Sequence, residues 1–261
     1  MNLTGFNLSK NYFDCIDDEG NCFIVYWAKL EFSLLKLNYS GIIFSNSQNL
    51  SIEKSSLKKI KRPIVNDLMQ FKNPALKING NWERLENPYT ILLYTDAKGN
   101  KIFWDCHHPK TYTNIEYKDN SFKGLGYAET LTMEVKPWKL PIDELRWGRF
   151  LSENTTIIWI NWKGNYPLNK IIYNGITFED AIFDENKIMF NNNKSILSFE
   201  EKTIIRKGKL ANVLARMPWL KLIFKSKILN TIEIKYKSRT SFSIGADIKC
   251  KGWSLYEVVT F

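Results

Sequence analysis

Residues 124–150 read GLGYAETLTMEVKPWKLPIDELRWGRF, a stretch dense in groups that can move a proton or hold a charge. Gly124 and Gly126 allow close backbone approach, and a phenol and a carboxylate follow at Tyr127 and Glu129. Alternate side chains of a strand share a face, so Tyr127 and Glu129 should point together, into a cavity. Arg146, on a neighbouring segment, is placed to hold that carboxylate charged. Without such a partner, burial raises the carboxyl pKa and leaves an acid able to donate a proton. Glu129, Tyr127 and Arg146 are therefore the catalytic candidates. The Gly-x-Gly is no nucleotide signature, because a strand follows it and a third glycine is missing.

Cys106, His107 and His108 form the one cluster that resembles a set of metal ligands. Adjacent strand side chains alternate faces, so the three cannot all turn to one ion, and no metal is expected. The chain has only two histidines, so any histidine acid–base chemistry rests on that pair. His107, beside Trp104 and Asp105, has two readings: a residue at a barrel mouth, or part of an ordinary loop before Pro109. No Ser-His-Asp order, P-loop or two-metal carboxylate set competes. Cys15, Cys22, Cys106 and Cys250 are too scattered for a disulfide framework and include no Cys-x-x-Cys pair.

The elements that must position these groups read as strands. Cys22–Leu30, Thr90–Thr95, Lys101–Asp105, Thr111–Tyr117 and Thr156–Trp162 are short runs rich in β-branched and aromatic residues. Leu168–Tyr173, Lys187–Phe190, Thr231–Tyr236, Ser241–Ile248 and Trp253–Phe261 extend the series. Gly-Asn recurs between such runs at residues 20–21, 99–100 and 164–165, the chemistry of tight hairpins. Asn46–Lys72 reads as an irregular excursion. Lys209–Met217 carries apolar residues at 210, 213, 214 and 217, a helical stripe that stops at Pro218. The expected fold is all-β: two consecutive antiparallel barrels, residues 1–150 and 151–261, with one short helix in the second half.

Apolar residues make up 44% of the 261-residue chain and aromatics 14%, which excludes a disordered chain. No apolar run approaches the roughly 18–20 residues that span a bilayer. Met1–Phe6 has neither a basic nor an apolar signal region, which points to a cytoplasmic protein. Residues 202–239 hold eleven basic residues and one acid, Glu233, an excess equal to the whole net charge of +10. The same stretch carries Trp219, Leu220, Leu222, Ile223 and Phe224, interleaved with Lys221, Lys225 and Lys227. That mixture suits an anionic membrane surface better than a nucleic-acid groove, so a flap over 208–229, in a basic insert near 205–229, is expected to touch the inner membrane face. A Lys-rich solvated face over ordinary core is the competing reading.

Three pieces of the chain resemble the double-lipocalin family of hydroxyneurosporene synthase (carotenoid hydratase) and AttH-like proteins, related in fold to tocopherol cyclase and to lipocalin-like Diels–Alderases. They are Tyr12-Phe13-Asp14 before an Asp-Asp-Glu-Gly turn, Gly124–Glu129 followed by Arg146-Trp147-Gly148-Arg149, and the closing Gly252–Glu257. The resemblance implies two lipocalin-like barrels and cyclisation, isomerisation or hydration of a polyene or terpenoid-like molecule, with no tightly bound cofactor. An acid would activate a double bond or carbonyl while aromatic walls fix the substrate and stabilise positive charge. Trp27, Trp104, Trp138, Trp147 and Trp159 are the candidates for that wall. A non-catalytic carrier of lipid or pigment is the alternative. Glu129 and Arg146 would then form a structural ion pair.

Overall fold

Asp17 and Asp96 head two turns of identical construction. Asn21 and Asn100 each donate their main-chain N–H to the aspartate Oδ1 (2.8 and 3.0 Å) and their side-chain amide to Oδ2 (2.8 Å in both). Gly20 and Gly99 sit at φ +84° and +81°, where a side chain is strained. Such turns fix strand register, and register decides which residues share a face.

The computed structural model describes residues 5–209 and 226–261. These residues fall into two compact units, Met1–Lys136 and Pro137–Phe261. The first holds β1 (Phe6–Ile16), β2 (Cys22–Phe32), β3 (Leu35–Ser45), β4 (Ser51–Ser56), β5 (Leu68–Asn73), β6 (Ile78–Arg84), β7 (Tyr89–Thr95), β8 (Lys101–Tyr117) and β9 (Asn120–Met133). The second begins with a 3-10 turn at Pro137–Lys139 and holds β10 (Glu144–Leu151), β11 (Thr156–Lys163), β12 (Leu168–Tyr173), β13 (Ile176–Phe178), β14 (Ile182–Phe183), β15 (Lys187–Phe190) and β16 (Ser195–Lys209). The helix α1 (Ser226–Asn230), β17 (Ile232–Ile244) and β18 (Asp247–Thr260) complete it.

One plan is used twice. In the first sheet the order is β4-β3-β2-β1-β9-β8-β6-β5, with β7 also on β8; in the second it is β13-β12-β11-β10-β18-β17-β16-β15-β14. Each unit opens with a four-strand meander whose first strand takes the unit's last strand as its other neighbour. The first sheet curls far enough for β5 to reach β3: Asn73 of β5 donates to Ser40 Oγ of β3 at 2.8 Å. Its concave face is filled by Phe13, Phe23, Val25, Ile42, Met69, Phe71, Trp82 and Ala128. The second sheet encloses Phe150, Trp159, Phe190, Leu197 and Phe242. The fold is two consecutive lipocalin-like antiparallel units with a short helix in the second. Among the described residues each hydrogen-bonded path keeps two ends, so the units are curled half-barrels rather than closed rings.

Several expectations need correction. The division falls at Lys136/Pro137 rather than at 150, because β10 pairs with β11 and β18 and so belongs to the second sheet. Asn46–Lys72 contains β4, whose largely exposed, polar residues hide the strand pattern, and most of β5, which alternates exposed residues with the buried Met69 and Phe71. The runs at 101–105 and 111–117 are one strand, β8, bent by bulges between Cys106 and Thr111. The helix expected over Lys209–Met217 and the core of the 208–229 flap lie outside the described residues. Within the described residues, no helix is long and apolar enough to cross a membrane.

Candidate active site

Register separates the two faces of β9. Ala128 pairs with Phe13 of β1, and both belong to the concave apolar cluster. Tyr127 and Glu129, one residue to either side, therefore lie on the opposite face of the sheet, not among the concave aromatic residues. Both are buried, at 2% and 8% exposure, so this second face is also withdrawn from water. Gly126 makes the close approach that its type implied: a Cβ there would stand 2.4 Å from the Asp14 carbonyl oxygen.

The Glu129 carboxyl is held by neutral donors. Its Oε2 accepts a hydrogen bond from the Trp104 indole N–H at 2.6 Å and a very short one from the Tyr127 hydroxyl. Cys106 faces it directly across the β8–β9 ladder. Burial raises the Glu129 pKa above the ordinary 4.5, against the pull of these two donors and of Lys10. Burial likewise pushes the Tyr127 phenol and the Cys106 thiol well above their usual ranges; the Glu129 charge adds to both, Cys106 raises Tyr127 further, and the hydrogen bond from Tyr127 works against the rise at Cys106.

The duplicated plan supplies an internal control. Ile16 ends β1 opposite Leu125, and Leu151 ends β10 opposite Trp253. Counting back equally, Tyr12 faces Glu129 and Trp147 faces Glu257, so Glu257 holds the position in the second unit that Glu129 holds in the first. Across the next ladder Glu257 meets Lys235, where Glu129 meets Cys106. Glu257 and Lys235 form an ion pair, whereas Glu129 makes none among the described residues. Arg146 belongs to the second unit. It pairs with Glu144 at 2.8 Å and donates to the Asp184 carbonyl, both in its own unit. Sequence adjacency misplaced it, because β10 opens the second sheet.

This arrangement sets a pH dependence. The Glu129 pKa is raised on folding, so the native state holds the proton more tightly than the unfolded chain. The associated stability is full below the unfolded value and is lost as pH rises through the raised native one. Glu129→Gln keeps an acceptor for Trp104 and Tyr127 but never ionises. Its melting temperature relative to the parent should therefore climb as pH goes from about 4 to about 8. A difference that stays flat across that range would show an ordinary carboxylate.

The concave face of the first unit carries a polar set that sequence reading left undecided. The β8 bulge inserts His107 between Cys106, which faces Glu129, and His108, which faces Ala128. Its Nε2 lies 2.8 Å from Thr130 Oγ1, the hydroxyl that also receives the Asn11 amide. Burial lowers the His107 pKa. His107 is thus at the concave face rather than in an ordinary loop. Elsewhere in the unit a cleft of about 460 Å³ is lined by Asp67, Leu68 and Glu83–Asn87, none of which was a candidate.

The tryptophan candidates divide. Trp104 binds Glu129, while Trp27 lies on the concave face, with its indole N–H 3.4 Å from the Ile60 carbonyl. Trp138 is in the 3-10 turn and Trp147 on β10, both partly exposed. Trp159 is in the second core, 5.8 Å from Phe199 and 6.0 Å from Tyr256. The structure therefore brings Tyr127, Glu129 and Trp104 together and places Arg146, Trp138, Trp147 and Trp159 in the other unit.

Two curled antiparallel sheets, each closing its first strand on its last, define the double-lipocalin architecture. Solved structures that share it include CghA, at TM-score 0.64 and 8% identity over 98% of this chain and 88% of that one. A putative AttH (NE1406) from Nitrosomonas europaea matches at TM-score 0.60 and 7% identity, covering 99% of this chain and 93% of that one. Kievitone hydratase from Nectria haematococca matches at 0.54 and 8%, covering 98% and 89%. At these identities the likeness is one of fold. No family model and no curated protein matches the sequence.

Proposed function

We propose that this chain is a lipocalin-like enzyme that uses the Glu129 carboxyl as an acid on an apolar polyene or terpenoid-like small molecule, in a cyclisation, isomerisation or hydration. The observation that carries the reading is a buried glutamic acid with a raised pKa and, among the described residues, no ion pair, at a position whose duplicate in the second unit is salt-bridged. With Trp104 and Tyr127 both donating to Oε2, the proton is left to Oε1, from which it can pass to a double bond or carbonyl. Tyr127 and Trp104 orient the acid and stabilise the carboxylate that forms. In a hydration the proton adds to one alkene carbon, water oxygen bonds to the other, and a water proton returns to Glu129. Cyclisation and isomerisation balance by loss of a proton from another carbon. A shared fold with a kievitone hydratase supports this class of reaction, and contact with anionic membrane through 208–229 would give access to an apolar substrate.

The test is incubation of the purified protein with a panel of polyenes and prenylated compounds in H2(18)O or D2O, followed by mass spectrometry. The enzyme reading expects a product carrying (18)O or deuterium that Glu129→Gln does not form. A carrier, the second reading, would return every compound it binds unchanged, and that result would remove the catalytic assignment.

A further inference from the structure

A second set of groups stands on the other face of the same sheet and plays no part in the reading of Glu129. Asn11 of β1, Trp27 of β2 and Thr130 of β9 are neighbours across the two ladders. Strand alternation puts them on the side of Phe13, Val25 and Ala128, at the end of the concave apolar cluster. The set is polar and incompletely used. Asn11 is fully buried; its amide N–H bonds to Thr130 Oγ1, yet its Oδ1 has no partner. Ser9, two residues along the same face, also buries a hydroxyl without a partner. Buried polar atoms left unbonded destabilise a fold, so one that keeps two on the same strand face invites a ligand that satisfies them.

The hydrogen-bond chain specifies what that ligand must present. Thr130 Oγ1 accepts from Asn11 and has one hydrogen of its own, which goes to His107 Nε2 in the Nδ1–H tautomer of the imidazole. The imidazole proton is then on Nδ1, making His107 a donor, and the lowered His107 pKa fits a neutral ring. The open valences are one acceptor, Asn11 Oδ1, with two groups that can donate, Ser9 Oγ and His107 Nδ1. A hydroxyl group answers both demands, giving its hydrogen to Asn11 and accepting from Ser9 or His107. The surroundings are aromatic: Trp27 is 4% exposed, and the Arg62 guanidinium lies 5.9 Å from its ring centroid at the rim. We propose that the Asn11–Thr130–His107 set on the concave face of the first unit is a binding site for the hydroxyl end of a small aromatic or apolar alcohol.

2-Naphthol is the probe, with 2-methoxynaphthalene as the partner that keeps the ring and loses the hydroxyl hydrogen. Titration of the full chain, followed by Trp fluorescence and by the imidazole signals of His107, should show 2-naphthol binding about tenfold more tightly and shifting those signals. Asn11→Ala should reduce 2-naphthol affinity while leaving that of the methoxy compound unchanged, and His107→Phe, which removes a donor to the probe oxygen that both compounds keep, should reduce 2-naphthol affinity as well. The comparison of the two probes on the unmodified protein stands even where a variant fails to fold. Equal affinities for the two probes, no 2-naphthol binding, or binding that leaves the His107 signals in place would overturn the proposal.

Discussion

Gly126→Ala should lower the melting temperature of the protein by about 10 °C, a loss of about 3 kcal/mol at the upper end of what overpacking costs. An added Cβ would lie 2.3 Å from Thr113 Oγ1, 2.4 Å from the Asp14 carbonyl oxygen and 2.8 Å from Thr111 Oγ1. The Asp14 oxygen is main chain in a paired strand and has nowhere to move. Relief requires β1 to shift away from β9, which breaks the ladder that sets Tyr12 opposite Glu129. Gly99→Ala is the control. Nothing lies within 4 Å of a Cβ there, and the only cost is a side chain at φ +81°, about 1 kcal/mol. Equal melting of the two variants in thermal denaturation would mean that the two strands do not approach as closely as described.

Glu129→Gln is expected to reduce turnover roughly 10²–10⁴-fold once a converted substrate is in hand. Glutamine keeps the shape and the acceptor for Trp104 and Tyr127 but cannot donate the proton. Tyr127→Phe keeps the acid and removes one of its two donors, so the loss should be smaller, and it should grow as the carboxylate becomes harder to form. The parent rate should fall as pH rises through the raised Glu129 pKa, because the protonated form is the active one. A Glu129→Gln enzyme that retains the full rate would leave the carboxyl as an element of structure.

Local chemistry carried much of this into the sequence, and long-range pairing carried the rest. The Asp-x-x-Gly-Asn turns are written in five residues each, and strand alternation alone places Tyr127 beside Glu129. Gly126 announces a close backbone approach because no other residue tolerates one. Arg146 was misread because the pairing of a unit's first strand with its last is invisible to neighbours in sequence. The face of His107 depends on a bulge, and a one-residue insertion reverses every side chain beyond it. Trp104 was legible as an aromatic but not as a donor to Glu129, since that bond spans the β8–β9 ladder. β4, Ser-Ile-Glu-Lys-Ser-Ser, has no apolar face for a periodicity to detect.

The central claim is that Glu129 is a buried acid rather than one half of an ion pair, and its titration tests that directly. Protein labelled with (13)C at glutamate side-chain carboxyls, with Glu129→Gln to identify the resonance, gives the pKa of that single group by NMR. The account predicts a midpoint clearly above the ordinary glutamate value of 4.5, whereas Glu179, hydrogen-bonded to Lys170, lies below it. A Glu129 midpoint at or below 4.5 would mean that a cation neutralises it in solution, and the acid role would fall with it.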